Sequence, residues 1–286
     1  MPIIEEDPDE DRMIVDYHTH NRLCRHAQGD LEEYVQAAIR LGLDEIGCTD
    51  HAPLPGNYDA RHRMTVEEFY ADYAPTVSEL TEKYASKIRI RRAIEIDHLD
   101  WATDWNQKFI AENDFDFVLG SVHFVGPRGQ ERPLFGPEYG RDELESLYEG
   151  YYLTIADSAK SGMFDIISHC DIVKKFGPCT SKRVDELTRE AMTQIKKAGI
   201  CVEINTSGLR KPEKETYPGE RILAIARELQ IPLTIGSDAH TPEDVGRDFD
   251  AIVDLVEAYG RGKISVFDKR QRTEVKISRL RQNGTR

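Results

Sequence analysis

Long apolar runs are missing from this sequence. No stretch approaches about 18 uninterrupted apolar residues, so a membrane-spanning helix is not expected. Cysteine is scarce: Cys24, Cys48, Cys170, Cys179 and Cys201 are odd in number and none forms a Cys-x-x-Cys pair. A disulfide framework is therefore excluded as a fold principle, and a reducing cytoplasm is the expected location. Positive charge is also short, with 38 Lys and Arg against 52 Asp and Glu, a formal charge of −14. A surface this acidic repels phosphate backbones, so nucleic acid is not an expected partner. The first residues, Met1 to Arg12, carry Glu5, Glu6, Asp7, Asp9, Glu10 and Asp11 with no apolar core, unlike a secretory signal.

What is present is the composition of a folded domain. Apolar residues make up 39% and charged residues 31% of 286 positions, enough for a sizeable core under a solvated surface. We divide the chain into an acidic extension, 1–12, and one domain, 13–286, that includes a basic tail. Within the domain, short β-rich runs alternate with helical patterns: Met13–Tyr17, Glu45–Cys48, Ile88–Ile96, Phe115–Leu119, Phe164–Ser168, Ile200–Ile204 and Leu233–Ile235. Asp30 with Glu33, and Thr65 with Glu68, read as capping boxes, and Gly42 as a helix stop. The intervening helices are expected at 30–41, from 65 onward, and at 101–112, 142–161, 181–198, 218–229 and 242–259, with Pro218 at a first helical position. Seven βα units in succession predict a parallel α/β barrel. The tail after Gly260, with Arg261, Lys263, Lys269, Arg270, Arg272, Arg279, Arg281 and Arg286, reads as a solvated tail or a final helix.

The ends of the predicted strands carry the chemistry. They read Asp16-Tyr17-His18-Thr19-His20, Thr49-Asp50-His51, Glu95 with Asp97, Ser121-Val122-His123, Ser168-His169-Cys170-Asp171, Glu203-Ile204-Asn205, and Ser237-Asp238-Ala239-His240. In a parallel barrel these ends share one face, where active sites form. A single histidine there is more often structural than ligating, and one His-x-His is weak evidence. Seven of the nine histidines, however, fall in these segments or in the loop just after the first.

Imidazole with a few carboxylates suits Zn, Fe or Mn better than Ca or Mg. Nine candidate ligands (His18, His20, His26, His51, Glu95, His123, His169, Asp238 and His240) are enough for three divalent ions, with Glu95 shared between two. Such a cluster makes a cationic pocket inside an acidic protein. That favours a phosphate substrate and metal-assisted phosphoester hydrolysis.

These motifs have a family resemblance. DYHTH (16–20), CTDH (48–51), AIEID (93–97), LGSVHF (119–124), FDIISHCDIVKKFG (164–177), EINTSGLRKP (203–212) and IGSDAHTPEDVG (235–246) resemble the polymerase-and-histidinol-phosphatase (PHP) family. The resemblance runs from about Met13 to Gly246 and is specifically to that family's monofunctional histidinol-phosphate phosphatases. It implies a distorted (β/α)7 barrel with a trinuclear metal site at the C-terminal strand ends. By the resemblance, His18, His20, Glu95 and Asp238 hold one ion, His26, His51 and His240 a second, and His123 and His169 a third, with Glu95 bridging. A metal-bridging hydroxide held among Glu95, Asp238, His18 and His20 would attack phosphorus. The implied reaction is hydrolysis of L-histidinol phosphate, in histidine biosynthesis.

For the substrate, the resemblance points to Arg210, whose guanidinium can grip phosphate bidentately, and to a lysine of IVKKFG, with Lys174 preferred to Lys175. Asn205 and His98 are further candidates at the pocket, with His98 equally readable as a packed side chain. His62 is readable as part of a lid or as an exposed loop residue. Cys170 departs from the family, which often has proline there, and a buried neutral thiol is the expected role. Asp97, Asp171 and Glu203 are expected to orient ligand histidines. Other readings remain: a phosphatase for nucleotides or phosphotyrosine, a metal amidohydrolase, or a non-catalytic metal-binding protein.

Overall fold

A computed structural model describes residues 12–136 and 138–280. The acidic run 1–11, and with it most of the predicted extension, lies outside the described residues, as do Arg281 and Arg286.

Seven parallel strands build the barrel: β2 (Val15–Asp16), β3 (Glu45–Cys48), β4 (Arg89–Asp97), β5 (Phe117–Ser121), β8 (Ile166–Ile167), β9 (Cys201–Asn205) and β10 (Leu233–Gly236). They pair in that order, each parallel to the next. Most of their residues are buried, as expected for parallel strands covered on both faces, and this is why they read as apolar runs rather than alternations. Among the described residues β10 and β2 share no full ladder. The circle closes instead through single contacts, Tyr17 N donating to Ile235 O at 3.2 Å and His20 N to Ala239 O at 2.9 Å. Buried Asp16 reinforces that seam by accepting from Ser237 N and Gly246 N, both at 2.9 Å.

Helices cover the barrel. They are α1 (Leu31–Leu41), α2 (Val66–Glu68), α3 (Ala74–Lys83), α4 (Thr103–Ala111), α5 (Arg141–Lys160), α6 (Lys182–Ala198), α7 (Glu220–Leu229) and α8 (Phe249–Tyr259). The second and third run together through a π turn at Phe69–Tyr73. At the start of α2, Thr65 Oγ1 accepts from Glu68 N at 3.2 Å while the Glu68 side chain accepts from Thr65 N at 2.8 Å. At α1 the Glu33 side chain accepts from Asp30 N at 2.7 Å, and Gly42 ends the helix with φ 72°.

Three expectations need correction. Pro218 follows a cis peptide bond and stands outside α7, whose N-cap is Gly219. The segment from Pro242 is a single 3-10 turn, Pro242–Asp244, separated from α8 by a left-handed residue, Asp248. Through residue 280 the basic tail is solvated, with Arg261, Lys263, Lys269, Arg272 and Arg279 exposed, but it is neither a free tail nor a helix. It forms an antiparallel hairpin, β11 (Lys263–Asp268) and β12 (Gln271–Ile277), and β12 pairs in parallel with β1 (Arg12–Met13). Its two-residue turn, Lys269 and Arg270, has positive φ at both positions, as tight hairpins require. Asp116 fixes the turn by accepting from Lys269 N at 3.1 Å and, through its carbonyl, from Arg270 N at 2.8 Å.

A second small hairpin, β6 (Phe124–Val125) and β7 (Arg132–Pro133), leaves the end of β5 and forms a flap beside the barrel mouth.

Candidate metal centre

The C-terminal ends of the barrel strands bring the nine predicted ligands together. Glu95, at the end of β4 and 1% exposed, stands at their centre. Its Oε1 faces His169 Nε2 at 3.1 Å, His18 Nε2 at 3.4 Å and His123 Nε2 at 3.8 Å. Its Oε2 faces His51 Nδ1 at 2.8 Å and His20 Nε2 at 3.6 Å. The two oxygens of one carboxylate thus address two sets of imidazoles, the arrangement a bridging ligand needs. Asp238 Oδ1 lies 3.2 Å from His20 Nε2, 3.4 Å from His240 Nδ1 and 3.8 Å from His18 Nε2. His26 joins from the loop after β2, its ring centroid 4.9 Å from that of His240 and 5.3 Å from that of His51.

The backbone is strained where it presents these groups. His169 has φ 22° and Asp238 φ 53°, in the left-handed region that non-glycine residues rarely occupy.

Buried acids and carbonyls orient the rings. Glu203 Oε1 sits 2.8 Å from His18 Nδ1, Asp97 Oδ1 is 3.1 Å from His123 Nδ1, and Asp50 Oδ1 is 3.4 Å from His20 Nδ1. For His26 and His240 the partner is a backbone carbonyl, Cys24 O at 2.7 Å and Asp238 O at 3.0 Å. A carbonyl only accepts, so in both residues Nδ1 carries the proton and Nε2 offers its lone pair. Such partners fix the tautomer and raise the basicity of the free nitrogen.

Burial opposes charge on Glu95, yet His18, His51 and His123 hold its carboxyl well below the usual range, helped by the hydrogen bond from His169. Asp238 is likewise held ionised against burial, chiefly by His18 and His20. Burial pushes His51 well below the ordinary histidine value, and burial with the charge on His20 lowers His240 to about 3. On His20 burial acts the same way, but hydrogen bonds to Asp238 and Asp50 overcome it and raise the value to about 9.

The donor set suits a divalent cation on a direct observation. His18 Nε2, His51 Nδ1 and Glu95 Oε2 are fully buried polar atoms that lack a hydrogen-bond partner. His51 Nδ1 and Glu95 Oε2 are 2.8 Å apart but are not aligned as donor and acceptor. An orphaned buried polar atom is costly, and three turned towards one space fit a shared cation. Ligand atoms of His18, His20 and Glu95, of His20, His51 and His240, and of His18, His169 and Asp238 form triads within 4.8 Å. Cys24 Sγ also lies within that distance of ligand atoms of His26 and His240.

The predicted substrate residues fare differently. Arg210 donates through Nη2 to Ser237 O at 2.9 Å, one residue before Asp238, and through Nη1 to Asp248 at 3.2 Å. Its Nε faces Asp244 Oδ1 at 4.0 Å, and its second Nη2–H is not used by these bonds. Lys174, the lysine preferred from sequence, is committed elsewhere, to Thr216 O at 2.7 Å, Asp171 at 3.0 Å and Glu215 at 3.1 Å. Lys175 is the one turned to the mouth. Its Nζ sits 3.7 Å from the Phe135 ring centroid, it feels the charge of Asp238, and burial lowers its pKa to about 8. The two lysines part because the segment Ile172–Phe176 is a 3-10 turn, in which adjacent residues point about 120° apart.

Asn205 does not face the mouth but donates to Glu203 at 3.1 Å and accepts from Ser207 N at 2.9 Å. His98 is buried against Phe164, ring centroids 6.2 Å apart, with Asp100 at 3.5 Å, and the structure does not bring it to the cluster. His62 is 63% exposed and hydrogen-bonded to Asp59 at 2.7 Å. Cys170 is buried, its thiol pushed well above its ordinary value by burial and then by Asp171, as expected of a neutral thiol. Asp171 orients no ligand histidine; it holds Lys174 and accepts from Gly219 N at 2.9 Å.

Sequence reasoning missed three supports. Ser121 Oγ donates to Glu95 Oε1 and lies 2.6 Å from Ser168 Oγ. Arg63, 2% exposed, donates to Asp97 at 2.8 Å and so stands behind His123. Gly236 matters because a Cβ there would come within 2.2 Å of Glu203 Oε1 and 2.6 Å of His18 Cβ, the contact that orients His18. The serines beside the strand-end histidines, Ser121 before His123 and Ser168 before His169, were signals for the first; nothing local marks Arg63.

Comparison with known proteins bears on this geometry. The model of the PHP domain family matches residues 16–207, and that of the PHP-associated family matches 219–264. A probable histidinol-phosphatase of Deinococcus radiodurans is 37% identical over 249 residues, covering 87% of this chain and 95% of its own. Among solved structures, a candidate histidinol phosphatase of Listeria monocytogenes superposes with a TM-score of 0.75 at 28% identity, covering 83% of this chain and 99% of its own. A histidinol phosphate phosphatase of Lactococcus lactis, solved with zinc, L-histidinol and phosphate, shares the fold at 23% identity. Its TM-score is 0.73, and the match covers 91% of this chain and 98% of the other.

Proposed function

This chain belongs to the PHP family, and from that premise we propose that it is a metal-dependent phosphatase that hydrolyses L-histidinol phosphate to L-histidinol and phosphate. The observation that carries the reading is the convergence of five imidazoles on the two oxygens of Glu95, with Asp238, His240 and His26 adjoining them and an unpaired lysine beside them. His18, His20, Glu95 and Asp238 would hold one ion, His26, His51 and His240 a second, and His123 and His169 a third that shares Glu95. Zn, Fe and Mn all suit this donor set. Bound divalent ions supply Lewis acidity and a hydroxide-like nucleophile at neutral pH, and they clamp attacking and leaving oxygens.

The chain's own residues do the rest. Glu203, Asp50 and Asp97 keep His18, His20 and His123 in one tautomer, so their lone pairs are preset. Lys175 has no carboxylate partner among the described residues and is partly desolvated, so its charge is available to an incoming phosphate. Arg210, which also faces Asp248 and Asp244, offers its second Nη2–H from the loop behind Asp238. Together they neutralise charge that grows on the equatorial oxygens as the ester bond breaks. The five cysteines are unpaired, which suits a reducing cytoplasm.

The test is phosphate release by purified, metal-replete protein on L-histidinol phosphate, phosphotyrosine, nucleoside monophosphates and p-nitrophenyl phosphate, with and without chelator. A kcat/KM for histidinol phosphate far above the rest, lost on chelation, is the expected result. Chelator-sensitive preference for another ester would overturn the substrate, and inactivity of metal-loaded protein on all four would overturn the reaction.

A further inference from the structure

Three large apolar side chains stand exposed among the described residues: Tyr70, Leu153 and Phe135. Tyr70 belongs to the π turn between α2 and α3, and Leu153 to α5. Phe135 alone is at the barrel mouth, and it remains 52% bare. The flap fixes its position. Leu134, fully buried, donates its N–H to His123 O at 2.8 Å, so the residue after it is carried directly beside a predicted metal ligand. Gly136 then turns the chain away with φ 99°. The Phe135 ring meets the His123 ring edge to face, centroids 5.2 Å apart at 64°, while Lys175 Nζ lies 3.7 Å from its centroid.

The ring therefore joins a candidate metal ligand, His123, to the lysine whose charge we assign to the phosphate. Nothing in the folding of the flap calls for an aromatic there. Leu134 already supplies the buried apolar anchor, and a half-bare Phe loses much of the gain that burial would give. Below the cluster the barrel interior is closed by packed side chains of its strands. An ester whose phosphorus sits at the cluster must extend its alcohol outward, past the rim that Phe135 occupies.

The geometry points to Phe135 as a specificity-determining residue: its bare ring receives a flat aromatic group on the alcohol of the ester, the imidazole in the case of histidinol phosphate. This rests on the reading above for the substrate, but the preference for a ring can be tested without it. Offset or edge-to-face packing of two rings needs only the centroid spacing that Phe135 already keeps from His123, and it discriminates against alcohols of equal charge that lack a ring.

The experiment compares wild type with F135A, F135L and F135Y, each metal-replete and with metal content measured. The readout is the ratio of kcat/KM for L-histidinol phosphate to that for ethanolamine phosphate, an amino-alcohol ester without a ring. F135A and F135L are expected to lower that ratio about tenfold, through KM rather than kcat, and F135Y to restore it. A ratio unchanged in F135A and F135L overturns the proposal, whether both rates fall together or neither moves. Parallel loss would mean that Phe135 only braces Lys175 or His123. p-Nitrophenyl phosphate separates the two claims. If wild type ignores histidinol phosphate, a tenfold fall in the nitrophenyl-to-ethanolamine ratio in F135A keeps the ring platform and removes the substrate assignment. An unmoved ratio there removes both.

Discussion

Glu203 lies on β9 and His18 just past β2, strands at nearly opposite ends of the sheet order, yet their side chains meet at 2.8 Å with both residues almost fully buried. Gly236, on β10 between them, is what allows the approach. Glu203 Oε2 also accepts from His169 N at 2.9 Å, so one carboxylate aims a ring of the first predicted metal set and fixes the backbone of the third.

Removing that carboxylate is expected to weaken metal binding without removing a ligand. Glu203→Gln should cost about 10–100-fold in affinity at the tightest site, measured by competition with a chromophoric chelator. Gly236→Ala should do the same by displacing Glu203. Unchanged affinity in both would mean that His18 needs no outside orientation.

Loss of the bridging group should be more severe. Glu95→Gln and His240→Ala are expected to abolish turnover and to lower the metal bound per chain, read by elemental analysis beside phosphate release. Turnover near wild type in either would refute the ligand assignment.

Arg63 and Asp97 form a buried ion pair 2.8 Å long that ends on His123. Arg63→Met leaves Asp97 Oδ2 without its buried partner and should destabilise the protein by about 3 kcal/mol, read from denaturant melts. It should also lower kcat by loosening His123, with Arg63→Lys recovering part of both. A melt that does not move would show that the pair contributes nothing net.

Lys175 gives a pH signature. Burial, followed by the charge of Lys211, lowers its pKa to about 8, so it is charged below that value and loses its proton above it. If it binds the substrate's phosphate, KM should begin to rise as pH passes about 8. Lys175→Arg keeps the charge and should flatten that rise, and Lys175→Ala should raise KM about tenfold at neutral pH. Lys174→Ala should leave the pH dependence of KM as it is, since its ammonium is spent on Asp171, Glu215 and Thr216 O. A wild-type KM flat to pH 9.5 would remove Lys175 from the phosphate.

The barrel was legible because buried parallel strands write themselves as apolar runs, and Glu45–Cys48 lies where its run predicts. The clustering of the candidate ligands was legible because imidazoles rarely gather at strand ends for other reasons. The partners of those ligands were harder. Arg63 reaches Asp97 across 34 residues from a loop, and no spacing within the loop encodes the contact. The final hairpin was missed because β12 is mostly exposed and polar and lacks the alternation that marks a half-buried strand. Lys174 and Lys175 are indistinguishable by composition, and only the turn between them decides which faces the mouth. Phe135 reads as one apolar residue in a loop until the flap places it.

The closure of the barrel has a mechanical side. Its first and last staves, β2 and β10, are held by a few isolated contacts rather than a ladder, while His18 and His20 follow one stave and Asp238 and His240 follow the other. Ions shared by those four residues would act as a hoop fastened across the join. Loading and tightening would then be one event, and stripping the ions should loosen this join first. Amide exchange at Tyr17, His20 and Ala239 would speed up before that of the strands opposite.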